Sequence, residues 1–234
     1  MKVRFIFVAL ITLASCAGSA PVLERTGILQ PGATLVVSNI DGDIDAYAPA
    51  RNQDPDRYTL DAFAPAAQNV SISVSRLLLR ARADTPGVRF QVRAPRGTSL
   101  DLSTRTGNIN VQDYDGIVNA TTGSGDIKML IPQYGNAYAH NGNVSVIFAS
   151  DTWNGTLRFG SDDGNVEVYV NENAKARIRM HTGNGTVFSD FNITGTSSGS
   201  SETIDAPVNG GGPRGIDVEV KHGDIRVMQL KPQV

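Results

Sequence analysis

The chain has one cysteine, three histidines and one tryptophan in 234 residues. A lone cysteine excludes an intrachain disulfide and any zinc or iron–sulfur site made of clustered thiolates. A basic excess is also missing: 21 Lys and Arg stand against 23 Asp and Glu, a formal net charge of −2. A nucleic-acid binder needs a basic surplus to neutralise phosphates, so that class is set aside. No stretch reaches the ~20 apolar residues of a membrane-spanning helix. Glycine, by contrast, is abundant at 24 residues. The length suits one or two domains with ample material for a core.

The first residues read as an address. Lys2 and Arg4 precede a mostly apolar run from Phe5 to Ala14, and Ser15-Cys16-Ala17-Gly18 follows. A basic start and a short apolar segment form an export signal. Its end, Leu13-Ala14-Ser15-Cys16, resembles the lipobox of bacterial lipoproteins, where the cysteine thiol is diacylated and the signal is cut before it. The alternative is an ordinary signal peptide that contains a cysteine. The lipobox reading makes residues 1–15 a signal peptide and 16–27 a lipidated tether. Several acyl chains, at ~0.8 kcal/mol per buried methylene, hold such a protein essentially permanently. Ala17 in place of Asp resembles lipoproteins sent to the outer membrane of Gram-negative bacteria. The expected location is therefore the cell envelope, with the periplasmic and surface-facing sides both open.

From residue 100 onward the chain repeats a short unit: Gly, then Asp or Asn, a branched apolar residue, a variable residue and a second apolar one. The copies begin at Gly107, Gly125, Gly142, Gly164 and Gly223, with a looser one at Gly185 and an outlying one at Gly42. In the middle of the chain they recur every 17 to 22 residues or so, a solenoid period. An apolar pair precedes each copy, as in Leu100/Leu102, Val118/Ala120 and Leu157/Phe159. Alternation at period two puts these residues on the inner face of strands. The Gly/Asn/Asp segment between pair and motif must turn the chain, and those residues tolerate positive φ. Each unit is then strand, turn, strand, turn, with no helix signal, and buries its inner face only by stacking on its neighbours. The expected class is all-β, a parallel β-solenoid (β-helix) of roughly 17–22-residue rungs; the alternative is an antiparallel β-sandwich.

Residues 28–98 are less periodic and read as irregular first rungs and a cap. Residues 99–231 are the repeat solenoid. Within it, 194–215 is rich in Ser, Gly, Thr and Pro and reads as a mobile loop.

The order of these features is similar to that of the bacterial putative-adhesin family of unknown function. A lipoprotein signal is followed by Leu29-Gln30-Pro31-Gly32-Ala33-Thr34-Leu35, leading to Asn39-Ile40-Asp41-Gly42-Asp43-Ile44. Val92-Arg93-Ala94-Pro95 then precedes repeats such as Thr122-Gly123-Ser124-Gly125-Asp126-Ile127. The resemblance spans residues 28 to 230 or so. It implies a β-solenoid on a cell envelope and brings no catalytic residues.

Little else points to chemistry. His140, His181 and His222 sit before turn glycines, evenly spaced. An interval of two rungs sets neighbours ~10 Å apart, too far for a shared metal. Asp162-Asp163 lacks the spacing of an EF-hand or a calcium-bound β-roll. No nucleophile elbow, phosphate loop or zinc-protease motif is present. No catalytic residue, metal or cofactor is therefore expected. Tyr114, Tyr134, Tyr138 and Trp153 fall at or beside turns, where they either grip a sugar ring or partner surface or pack over corners.

The leading expectation is a non-catalytic, lipid-anchored envelope protein that presents a β-solenoid binding surface, adhesin-like. Outward residues Asn110, Lys128, Ser145, Glu167 and Arg226 line that surface. The alternatives are a periplasmic scaffold or envelope stress-response component and a polysaccharide-active β-helix enzyme. Beyond the membrane reached through the lipid, the expected partners are a polysaccharide or an envelope or host-surface protein.

Overall fold

The computed structural model describes residues 20–30, 32–49, 54–64, 70–131 and 133–230. Cys16 and the signal peptide lie outside the described residues. Among these residues every regular element is a strand. The chain opens with β1 (Leu23–Ile28), β2 (Thr34–Asn39), β3 (Ile44–Tyr47), β4 (Arg57–Phe63), β5 (Val70–Val74), β6 (Leu78–Ala83) and β7 (Arg89–Arg93). Four regular rungs follow: β8 (Ser99–Thr106) with β9 (Ile109–Gln112), β10 (Ile117–Ser124) with β11 (Ile127–Ile131), β12 (Tyr134–Asn141) with β13 (Val144–Phe148), and β14 (Thr156–Asp163) with β15 (Val166–Asn171). The chain closes with β16 (Ala176–Asn184), β17 (Val187–Ser189), β18 (Thr196–Ser198), β19 (Ser201–Val208), β20 (Gly215–His222) and β21 (Ile225–Leu230).

Each rung gives one strand to a ten-stranded sheet and one to an eleven-stranded sheet. Both sheets are parallel through their middles, as in β10 beside β12 and β11 beside β13. Inward residues of facing strands meet in one core: Leu100, Leu102, Ile109, Val111, Val118 and Ile127 are all buried. The period-two alternation thus becomes a two-sheet β-solenoid, and every apolar pair that precedes a motif faces inward. A parallel stack has two open ends, each a row of unpaired backbone groups. Antiparallel strands close them: β4 and β1 on β7, and β5 on β6, at one end, and β19 and β18 on β16 at the other.

Two boundaries read from composition need correction. Residues 23–27, placed in the tether, form with Ile28 a strand paired antiparallel with β4. Its polar sequence hides the strand because it lies at the sheet edge, where only Leu23 and Gly27 are partly covered. Likewise, the 194–215 segment is no structureless excursion. It contains all of β18 and β19, and the latter pairs with β16 along most of its length.

Stacking order and chain order agree only in the middle. In the eleven-stranded sheet β20 lies between β14 and β16, and in the ten-stranded sheet β21 lies between β15 and β17. The last rung of the chain is thereby inserted one place in from the end. The first motif rung, β2 with β3, is likewise flanked on one side by β6 with β7 and on the other by β8 with β9.

The Gly-Asp/Asn tag is explained by the contact between rungs. The seven motif glycines all have φ between +125° and +156°. They stack in the order Gly42, Gly107, Gly125, Gly142, Gly164, Gly223, Gly185. A Cβ on Gly142 would stand 2.0 Å from the carbonyl oxygen of Gly125, and each of the others meets the glycine carbonyl before it at 2.0–2.2 Å, with Val88 in that place for Gly42. The next residue carries a second ladder. Its side-chain oxygen accepts the backbone N–H of its counterpart one rung on: Asp43 from Asn108, Asn108 from Asp126, Asp126 from Asn143, Asn143 from Asn165, Asn165 from Asp224, and Asp224 from Thr186, at 2.7–2.9 Å. Asx residues supply that acceptor where a plain strand residue cannot. Thr186 ends the ladder with no further motif to serve, which accounts for the looser copy at Gly185.

Candidate binding groove

The outer face of the eleven-stranded sheet is set by the same register that fills the core. Odd and even positions separate, so outward residues line up across rungs. One row runs Asn119, Asn136, Arg158, Asp217, Arg179, Asp205. A second runs Thr121, Tyr138, Gly160, Glu219, His181, Thr203. Between them lies a groove of about 780 Å³ across β10, β12, β14, β20, β16 and β19. Its floor is Gly160. A Cβ there would come within 2.9 Å of the Tyr138 ring and of the Glu219 carbonyl, so the missing side chain is what lets the ring lie along the sheet.

Beside the groove, and joined to it through Tyr138, is a polar cluster around Asp162. Its Oδ1 accepts from the Tyr138 hydroxyl at 2.5 Å and pairs with Lys221 Nζ at 2.6 Å, while Oδ2 accepts from His140 Nδ1 at 2.7 Å. The Lys221, Tyr138 and His140 bonds hold this carboxyl far below the usual carboxylate range. In turn, the bond to Asp162 and partial desolvation push the Tyr138 phenol up to about 12. Asp162 therefore stays ionised with its oxygens occupied, which suits a fixed anion and not a general acid. At the far wall Arg177 and Arg179 pair with Asp205 at 2.6 and 3.4 Å, and Arg179 reaches Asp217 at 3.8 Å. His181 Nδ1 meets Thr203 Oγ1 at 2.8 Å.

The four aromatic residues singled out from sequence divide. Tyr138 reaches the groove. Tyr134 is half-buried at a separate corner pocket, its hydroxyl donating to the Thr156 carbonyl at 2.9 Å. Trp153, 6% exposed, packs edge-on to Phe148 and donates to the Gly215 carbonyl at 3.3 Å, while Arg214 donates to the Trp153 carbonyl. It fixes the entry of the inserted last rung. Tyr114 is wholly buried, its hydroxyl donating between the carbonyls of Thr98 and Pro95, and burial drives its phenol well above the ordinary value. As a surface for a ligand Tyr114 is a correction, because a ring that fills a corner and satisfies two buried carbonyls presents nothing outward.

The histidines are not evenly spaced in three dimensions. The insertion puts His222 of β20 and His181 of β16 on adjacent strands, with His140 two strands from His222. His140 and His222 face separate carboxylates, Asp162 and Asp163. Among the described residues no three His, Cys, Asp or Glu groups converge on a metal position. The ladder Asn110, Lys128, Ser145, Glu167, Arg226 does form one outer row on the ten-stranded sheet. Beside it runs a row not singled out from sequence, Leu130, Ile147, Tyr169, Met228. Arg158, Gly160 and Glu219 were not singled out either, and His181 was weighed only as a metal ligand. Gly160 alone broke its strand's pattern visibly, as a glycine at an outward position.

Two parallel sheets stacked rung on rung around a glycine ladder, with antiparallel strands closing both ends, define a β-solenoid. The chain belongs to the Toastrack DUF4097 family, whose model matches residues 33–228. Its fold is similar to that of a putative cell adhesion protein from Clostridium sporogenes ATCC 15579, with a TM-score of 0.51 at 12% identity over 89% of this chain and 99% of that one. A putative adhesin from Bacteroides fragilis NCTC 9343 aligns over 89% and 96% at 12% identity, with a TM-score of 0.37. No curated protein matches the sequence.

Proposed function

We propose that this protein is a non-catalytic cell-envelope lipoprotein, anchored through Cys16, that holds an extended polar ligand across the rungs of its eleven-stranded sheet. The observation that carries this reading is the groove itself. A tyrosine ring lies against a glycine floor, and cations and anions alternate along one side, Arg158, Asp217, Arg179 and Asp205. An aromatic face with hydrogen-bonding groups around it suits a pyranose ring, and repetition along the rungs suits a polymer. A polysaccharide strand is therefore the proposed ligand, in an adhesin-like role, in line with the solved neighbour described as a cell adhesion protein. Three acids at or beside the groove, Asp162, Asp205 and Asp217, each face a cation, which favours binding over catalysis by them. Binding to a glycan panel tests it, with Tyr138→Ala losing most of the signal and Tyr114→Phe keeping it. Equal binding by both variants would overturn the groove as the site.

The row Leu130, Ile147, Tyr169, Met228 favours a second reading, a scaffold that engages another envelope protein through the ten-stranded sheet. Protease treatment of intact cells separates the two. Loss of the protein from intact cells supports a surface adhesin, and protection until permeabilisation supports a periplasmic partner.

A further inference from the structure

We infer that the β1/β5 end of the solenoid rests on the lipid bilayer, so that the molecule stands on its end and carries the groove away from the membrane. This rests on the proposed lipidation of Cys16. Four of the seven large hydrophobic side chains exposed among the described residues lie at this end: Val22 (42%), Ile28 (64%), Val74 (51%) and Leu77 (57%). The other three lie elsewhere, Ile117 and Leu130 on the two strands of one middle rung and Phe188 at the opposite end. Ile28, Val74 and Leu77 share a corner. The Gln30 N–H donates to the Arg76 carbonyl at 3.4 Å and the Thr34 N–H to the Leu77 carbonyl at 2.9 Å, which brings the end of β1 against the β5–β6 turn.

The occupant follows from the chain that leads in. Cys16 is about seven residues before β1, a reach of at most ~25 Å. β1 is the terminal strand of its sheet, and β5 is the terminal strand of the other. Acyl chains on Cys16 therefore hold this end, and no other, within reach of the lipid surface. Exposed Arg57 and Arg76 flank the apolar corner, beside Asp56. Apolar side chains ringed by arginine match the headgroup boundary, where apolar groups sink ~5–10 Å and guanidinium groups meet phosphate. The strands of the groove start four places from β5 in the sheet order and end at β19. At ~4.8 Å per strand the groove's centre then stands about 30 Å above the membrane.

The test uses the full lipoprotein in vesicles of phosphatidylethanolamine with minor phosphatidylglycerol and nitroxide-bearing lipid. A fluorophore is placed in turn at Leu77→Cys and at Phe188→Cys, on the opposite end. Mass spectrometry of the same samples reads the lipid on Cys16. With lipid present, quenching at Leu77 at least ~3-fold that at Phe188 is expected, since only the first sits at headgroup depth. Equal quenching on a lipid-bearing protein overturns the standing orientation and leaves the anchor intact. Absence of lipid overturns the anchor and the orientation with it. Ile28→Ser with Val74→Ser, both surface changes, should reduce the quenching at Leu77 while melting is unchanged.

Discussion

The middle of the solenoid and its ends are made from the same tag but by different routes. From β8 to β15 the chain climbs one rung at a time, and each strand pairs with its counterpart in the next rung, two strands on in sequence. At the ends it overshoots, lays down the outer rung, and returns to fill the place left behind. The carboxy-terminal strand β21 is thus bonded on both sides, to β15 and to β17. Residues Ile225 to Val227, held by both ladders, cannot open without breaking two, whereas the exposed edge is left to the three-residue strands β17 and β18. Short edge strands offer little template for pairing with another chain.

The largest expected effect comes from removing the inserted rung. A chain ending at Arg214 loses inward Ile216, Val218, Val220, Ile225 and Val227, all buried. At ~1.5–3 kcal/mol for each side chain, that loss is comparable with the ~5–15 kcal/mol that stabilises a domain. β16 and β17 would lose their parallel partners, and hydrogen exchange should show them unprotected while β8 to β13 keep protection. Full protection at β16 in the truncated chain would mean that the outer rung can dock directly on β14, and the insertion would then be incidental.

Glycine substitution sharpens the same comparison. Gly142→Ala and Gly185→Ala place a Cβ equally close, 2.0 Å, to a glycine carbonyl. Around Gly142 rungs on both sides resist displacement, and a loss above ~3 kcal/mol is expected from clash and strained φ together. Beyond Gly185 lies only the β18–β19 hairpin, so the outer rung can shift and the loss should be about half as large. Denaturant midpoints measure both. A smaller contrast is expected in the Asx ladder. Asn143→Ala orphans the Asn165 N–H and should cost ~1 kcal/mol, whereas Thr186→Ala removes only a hydroxyl that donates to Asp224 and should cost less.

These contrasts also show why the rungs were legible in the sequence and their order was not. Glycine, an Asx side chain and alternating apolar residues are local requirements, written wherever a rung forms. Which rung lies beside which is fixed by long-range pairing, and the tag at Gly223 reads the same inserted or terminal. One local trace of order existed: Thr186 in place of Asx marks the rung with no successor. The groove was obscured for the same reason. Tyr138 could be singled out as an aromatic beside a turn, but Glu219 and His181 join it only because β20 enters between β14 and β16. Nor does the sequence distinguish Tyr138 from Tyr114; the second is consumed by two carbonyls that only the folded corner brings together. Edge strands β1 and β18 were illegible because strands with little inner face carry no alternation.

The two halves of the molecule should also answer acid in opposite directions, the smallest of the expected effects. Asp45 and Asp61, near the β1 end, have carboxyls raised above the ordinary 3.8, chiefly by burial. The folded state there takes up a proton before the unfolded one does, so stability rises as pH falls through the raised value toward 3.8. Asp162 and Asp205, at the groove, are lowered by the hydrogen bonds of Lys221 and Arg177, among others. Their stabilisation is full above the ordinary carboxylate value and is lost as pH falls below it toward the depressed one. Asp45→Asn should therefore stabilise the protein at neutral pH, with a gain that vanishes by about pH 3.5. Asp162→Asn should destabilise it at neutral pH, by an amount that shrinks only below the ordinary carboxylate value. Denaturant midpoints of both variants across this range measure the difference. Parallel pH profiles for the two would show that the groove carboxylate is solvated like any surface acid, and that its three partners do not hold it.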